Sequence, residues 1–176
     1  KRQPFREPLE HGNPVGYITS YVPGVRENGG QYTHGAAWAV LACCRLGRGE
    51  DAFRLFEILN PLVHTSTRTG AARYGVEPYA LAGDVYAPPN GGRGGWSWYT
   101  GAAAWLYKIG LEDMLGIQRR GKELCFQPCV PFDAFEVTYQ FGGSTYVLSF
   151  QRGEKKGPKR IALLDDGKRH TVKVIF

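Results

Sequence analysis

The sequence predicts a mainly α-helical chain that ends in a small antiparallel β module, and three observations predict it. Alanine-rich and amphipathic segments recur at helical spacing as far as residue 115, and strict apolar–polar alternation begins only after residue 116. Long loops precede every second helix. That pattern marks an α/α toroid whose site is built from the loops on one rim. The change of composition divides the chain into a helical part, residues 1–115, and a β module, residues 116–176.

Each element follows from local chemistry. Residues 33–47 (THGAAWAVLACCRLG) are apolar all round, as in a buried helix, with Asn28-Gly29-Gly30 as the turn before it and Gly47 as its C-cap. Asp51–Leu62 is a second helix with Ala52, Leu55, Phe56 and Leu59 on one stripe, stopped by Asn60-Pro61. The short link Gly47-Arg48-Gly49 makes the two an antiparallel helical hairpin. His64–Gly75 reads as irregular, and Glu77–Val85 as a short helix with Pro78 in its first turn. The loop Ala87–Gly95 then leads into a helix from Tyr99 to Ile109. In the second part, Glu136–Phe141 and Ser144–Phe150 are alternating strands joined at Gly142-Gly143. Arg160–Leu164 and Thr171–Phe176 are two more, around Asp165-Asp166-Gly167.

Composition narrows the function classes. The 176 residues, 43% hydrophobic, suffice for one domain or two small ones. The net charge of +6 is concentrated in Arg152–Lys159 and Lys168–His170. These runs lack aromatic interleaving and belong to no nucleic-acid module, so they read as solvated surface rather than as a nucleic-acid contact. No apolar run reaches the length of a membrane span, and the first residues are not a signal peptide. Cysteines at 43, 44, 125 and 129 have neither metal nor redox spacing, so four reduced thiols in a cytoplasmic setting are expected, with no metal. The opening KRQPFREPLEHGNP is polar, proline-rich and without an initiating Met, and reads as a fragment or a processed chain.

Three stretches carry candidate chemistry. PGVRENGGQYTH (residues 23–34) packs Arg26, Glu27, Asn28 and His34 around two glycines just ahead of a buried helix. His34 there is either a donor to an anion or a sugar hydroxyl, or a satisfied structural residue. In VEPY (residues 76–79), Glu77 either lines a pocket or simply complements a helix dipole. GRGGWSWYTGAAAWLY (residues 92–107) places Trp96 and Trp98 at a glycine-rich helix start, as a binding surface or as a packed corner. Together they suggest a site for a polar, hydroxylated and anionic ligand.

At these residues, VRENGGQYTHGAAW, VEPYALAGDVY and GRGGWSWYTGAAAWLY, the chain resembles the C-terminal catalytic region of the glycoside hydrolase family 94 phosphorylases, in the same order from Val15 to Ser149. The family includes cellobiose and chitobiose phosphorylases and the C-terminal domain of cyclic β-1,2-glucan synthases, the branch it resembles most. The resemblance implies inverting phosphorolysis of a β-glucosidic bond, in which phosphate replaces the activated water of an inverting hydrolase. It implies phosphate binding by His34, Thr100 and Gly101, acceptor-sugar contacts by Arg26 and Glu27, and pocket lining by Glu77 and Trp98. No cofactor is expected beyond inorganic phosphate as co-substrate, and the partner is a β-glucan oligosaccharide. The helices would be the last hairpins of a six-hairpin α/α barrel, followed by a β-sandwich piece. The family's general-acid Asp is expected upstream of these residues, so the chain alone is expected to be inactive, needing the remainder of the barrel. A homo-oligomer and the cytoplasmic domain of an inner-membrane synthase are the expected settings.

Two rivals are kept. One is a carbohydrate-binding or structural remnant without turnover. The other is an independent hydrolase using Glu27, Glu77 or Asp84 as its carboxylate pair.

Overall fold

A computed structural model describes residues 4–5, 16–98, 100–154 and 157–176. The opening segment read as a processed terminus, the start of the resemblance at Val15, the helix start at Tyr99 and Lys155-Lys156 of the basic run lie wholly or mostly outside the described residues. Packing divides the chain into two compact units, one of residues 1–40 and 54–107, the other of residues 41–53 and 108–176. Neither unit is one contiguous stretch of sequence.

In chain order, a 3-10 turn, Gly16–Ser20, leads to strand β1 (Gln31–Tyr32) and helix α1 (Thr33–Arg45). Helix α2 spans Gly49–Leu59. Asn60 does not only stop it: its side-chain oxygen accepts the Leu62 N–H at 3.0 Å and caps a further turn, α3 (Pro61–His64). The stretch expected to be irregular contains α4 (Arg68–Tyr74), capped by Thr67 and closed by Gly75 at φ +66°. The helix expected over 77–85 is absent. Its last residues form strand β2 (Asp84–Val85), which pairs antiparallel with β1 on one side and with β3 (Gly94–Gly95) on the other. Tertiary pairing overrides a helix-like composition here. Helix α5 (Ala102–Lys108) runs into a π-helical segment, Ile109–Met114. Among the described residues no helix is long and apolar enough to cross a membrane.

The second unit holds strands β4 (Ile117–Arg120), β5 (Glu123–Phe126), β6 (Ala134–Phe141), β7 (Ser144–Gln151), β8 (Arg160–Ala162) and β9 (Arg169–Ile175). They form two three-stranded sheets, ordered β4-β5-β8 and β6-β7-β9. The module is mixed rather than purely antiparallel, because β9 runs parallel to β7. Leu124, Leu148, Phe150, Ile117 and Val174 fill its core, and the Phe135 and Phe150 rings stack at 4.4 Å. All four cysteines are free thiols.

The Asp166 carboxylate gathers most of the bonds that hold the turn before β9, beside Asp165 Oδ1, which accepts the Gly143 N–H at 2.8 Å. Asp166 Oδ1 accepts from Ser144 Oγ at 3.0 Å, from the Lys168 N–H at 3.1 Å and meets His170 Nε2 at 2.9 Å. The imidazole beside it, more than any other group, holds the Asp166 carboxyl down to about 2 from an ordinary 3.8. The folded value lies below the unfolded one. The stabilisation is therefore complete above about pH 4 and is lost as pH falls through about 2. Asp166→Asn is expected to shrink the acid-induced loss of β signal in that window, followed by far-UV circular dichroism. An unchanged acid transition would remove Asp166 from the account.

Candidate functional site

The three-stranded sheet of the first unit explains why distant motifs meet. Residues 31–32, 84–85 and 94–95 each come from one of the stretches singled out above, and pairing them sets the loops side by side. Beside the sheet lies a cavity of about 430 Å³ lined by Arg26, Tyr32, His34, Gly83, Trp96, Trp98, Thr100 and Gly101.

Asp84 anchors one wall. It is 1% exposed, and its Oδ2 accepts the Arg26 N–H at 3.0 Å. Burial pushes its carboxyl up, with the Arg26 N–H and guanidinium opposing. The bond fixes Arg26 in the left-handed region, φ +46°, and its guanidinium lies 4.1 Å from the Trp96 ring centre. Asn28, also 1% exposed, binds the Phe5 backbone through both ends of its amide and the Tyr21 carbonyl at 2.7 Å, which ties down the same loop.

The backbone itself marks the site. Among the described residues, the non-glycine positions at positive φ are Arg26, Trp96 at +53° and Trp98 at +67°, and all three line the cavity. A bulky side chain in that region costs on the order of 1–3 kcal/mol, a strain that collects at functional sites.

His34 lines the cavity from the first turn of α1. Its ring packs edge-on to Trp38 at 5.0 Å and tilts against Trp105 at 6.1 Å, and its Cε1 lies beside Gly101. Its Nε2 is buried without a hydrogen-bond partner in the protein. Thr100 Oγ1 accepts the Ala102 N–H at 3.0 Å, capping α5 and leaving the hydroxyl proton to donate elsewhere. The described lining thus offers a guanidinium, a hydroxyl and an imidazole nitrogen, and no carboxylate. Such a set suits an anion that also carries hydroxyls.

Of the residues expected from sequence, the structure brings Arg26, His34, Trp98, Thr100 and Gly101 to one cavity. Glu27 and Glu77 are not among its lining. Glu27 accepts from the Tyr17 hydroxyl at 3.2 Å, and Glu77 Oε1 accepts from Trp98 Nε1 at 3.0 Å. The three carboxylates of the hydrolase reading are each engaged, and Asp84 is wholly buried. Sequence reasoning singled out no role for Tyr32 or Gly83, and Trp96 only as part of a binding surface or a packed corner. All three sit inside the quoted motifs, where the two aromatics were findable; Gly83 carries no signal of its own.

Comparison with known proteins fits this geometry. A family model described as Glycosyl hydrolase 94 superfamily, catalytic domain, matches residues 4–116. Cyclic beta-(1,2)-glucan synthase NdvB of Rhizobium meliloti is 46% identical over 87% of this chain and 6% of its own length. Solabiose phosphorylase of Paenibacillus borealis is 30% identical over 94% of the chain and 23% of its own length. N,N'-diacetylchitobiose phosphorylase of Vibrio proteolyticus is 32% identical over 85% of the chain and 19% of its own length. The chain therefore spans less than a quarter of each of these relatives. The matched segment contains every described residue that lines the cavity, and on that match the chain belongs to the Glycosyl hydrolase 94 superfamily, within its catalytic domain.

Proposed function

We propose that the chain is the phosphate- and sugar-holding part of a carbohydrate phosphorylase or glycosyltransferase domain that acts on β-glucans by inverting phosphorolysis. The observation that supports it is a cavity that gathers Arg26, His34 and Thr100 with no carboxylate among its described lining. In this reading His34 Nε2, the Thr100 hydroxyl and the Gly101 backbone hold inorganic phosphate. Arg26, Glu27, Glu77 and Trp98 serve the sugar side, Glu77 through its bond to the Trp98 indole. A phosphate oxygen forms a bond to the anomeric carbon as the glycosidic bond breaks on the opposite face. The leaving oxygen takes its proton from a general acid, and the products are an α-sugar 1-phosphate and a shortened glucan. The acid is an Asp outside these 176 residues, and α1 to α5 supply the last hairpins of a barrel closed by helices upstream or on a second chain.

The test is release of sugar 1-phosphate from β-1,2-glucan and from cellobiose, with and without phosphate. It is run on this chain and on a longer polypeptide carrying the upstream helices. Phosphate-dependent product is expected from the longer polypeptide alone. There, His34→Ala is expected to lower kcat/KM by about a hundredfold to a thousandfold, the scale of losing one preorganised donor to developing charge. Free glucose released without phosphate, or an unaffected His34→Ala enzyme, would sink the proposal. A second reading, carbohydrate binding without turnover, is favoured by the aromatic surface beside the cavity, where Trp98 is 71% exposed. Sugar binding by both polypeptides with no phosphate-dependent product would select it.

A further inference from the structure

We infer that Trp98 and Tyr79 form a stacking platform for a further pyranose ring of a β-linked glucan, beyond the ring held in the cavity, and that Glu77 is its positioning residue. The inference rests on the cavity being a sugar site, as proposed above. Four observations carry it. Trp98 lines the cavity yet is 71% exposed, and Tyr79 beside it is 70% exposed, their ring centres 6.0 Å apart at 66°. Two adjacent aromatics that open to solvent beside the cavity fill no core of this unit.

Trp98 also holds a strained backbone, φ +67°, which burial of its own side chain does not offset. Its indole is nonetheless fixed, because Nε1 donates to Glu77 Oε1 at 3.0 Å. The Glu77 carboxyl is held below the usual carboxylate range by its own backbone N–H first, then by Trp98 and Ser97, so it remains an acceptor at neutral pH. An exposed indole oriented in advance loses little further freedom when a ligand settles on it. Trp96 differs, since a guanidinium already lies over its ring.

The ligand chemistry follows. The residues assigned to phosphate, His34, Thr100 and Gly101, are distinct from the platform, which presents the open indole face of Trp98 with the Tyr79 ring set at 66° to it and one fixed polar edge. A β-linked glucopyranose matches it, with axial C–H groups on its faces and equatorial hydroxyls at its rim. C–H face against indole is the contact that a largely neutral, hydroxylated ligand can make there.

The experiment is a calorimetric titration of the chain with glucose, then with β-1,4- and β-1,2-linked glucose oligomers of increasing length. Inorganic phosphate is titrated separately. Adding rings beyond the disaccharide is expected to tighten binding about tenfold in at least one series. Trp98→Ala and Tyr79→Ala should each abolish that gain, and Tyr79→Ala should leave phosphate affinity and melting temperature unchanged. Glu77→Gln, which keeps an acceptor for the indole N–H, should retain most of the gain that Glu77→Ala loses. Affinity independent of length in both series, or a gain that survives Trp98→Ala, overturns the platform. Loss of phosphate binding with the length dependence intact would instead refute the phosphate reading and leave the platform standing.

Discussion

Gly95→Ala is expected to take apart the sheet that assembles the cavity. Gly95 is buried on β3 and pairs with Asp84. A Cβ there would sit 2.6 Å from Asp84 Oδ1 and 2.7 Å from both Cε1 and the hydroxyl oxygen of Tyr86. Neither neighbour can retreat cheaply. Asp84 is wholly buried and its other oxygen is bound to the Arg26 N–H, so displacing it frees the left-handed turn at Arg26. The substitution should cost about 3 kcal/mol through overpacking. It should also weaken phosphate binding, because β1 and β3, which lead to His34 and to Thr100 and Gly101, lose the register that sets them side by side. Thermal unfolding followed by tryptophan fluorescence, with a phosphate titration below the transition, reads both effects. Wild-type stability with wild-type phosphate affinity would mean that β3 is not what sets the wall.

That dependence on a sheet of two-residue strands shows what the sequence made legible and what it hid. The motif segments around Arg26, His34 and Thr100 could be found because glycines, aromatics and donors crowd ahead of helix starts. α1, α2 and the β6–β7 hairpin could be found because each repeats its pattern over enough residues for a period to register. Two-residue strands have no period. Asp84–Val85, preceded by Pro78 and three alanines or leucines, carries helix-like composition, and only its partners at 31–32 and 94–95 make it a strand. β4 and β5 are four residues each, and β4 passes from buried Ile117 to exposed Arg119-Arg120 with no alternation to register. The parallel pairing of β9 is a property of two distant segments, and nothing in either one states it. For α4 the signal was present and underweighted: Thr67 as N-cap and Gly75 as C-cap bracket it. The left-handed backbones of Trp96 and Trp98 had no signal, since glycine would be the default residue at such angles.

Gly116→Ala should have the larger effect on stability, and it falls on the second unit. Gly116 has φ +68°, where an alanine costs on the order of 1–2 kcal/mol for its Cβ alone. The Cβ would also overlap the Gln127 carbonyl group and the Pro128 nitrogen. These are backbone atoms, so no side-chain rotation relieves the overlap. The same two segments are tied by the Gln127 N–H donating to the Gly116 carbonyl at 2.8 Å and by the Cys129 N–H donating to Met114 at 2.8 Å. The β4–β5 register continues from that point through Ile117 and Phe126, both in the core. Backing the chain away by the required distance therefore breaks two hydrogen bonds and pulls Ile117 from its contacts. A loss above about 4 kcal/mol is expected, in the range reserved for a named structural failure. Urea unfolding followed by far-UV circular dichroism measures it. Gly121→Ala is the internal control: it shares a left-handed backbone, φ +63°, but its added Cβ would meet nothing within 4 Å, so it should cost only the conformational share. Equal losses at 116 and 121 would show that backbone angle alone, and not the close approach of residues 127 and 128, requires glycine at the start of the module.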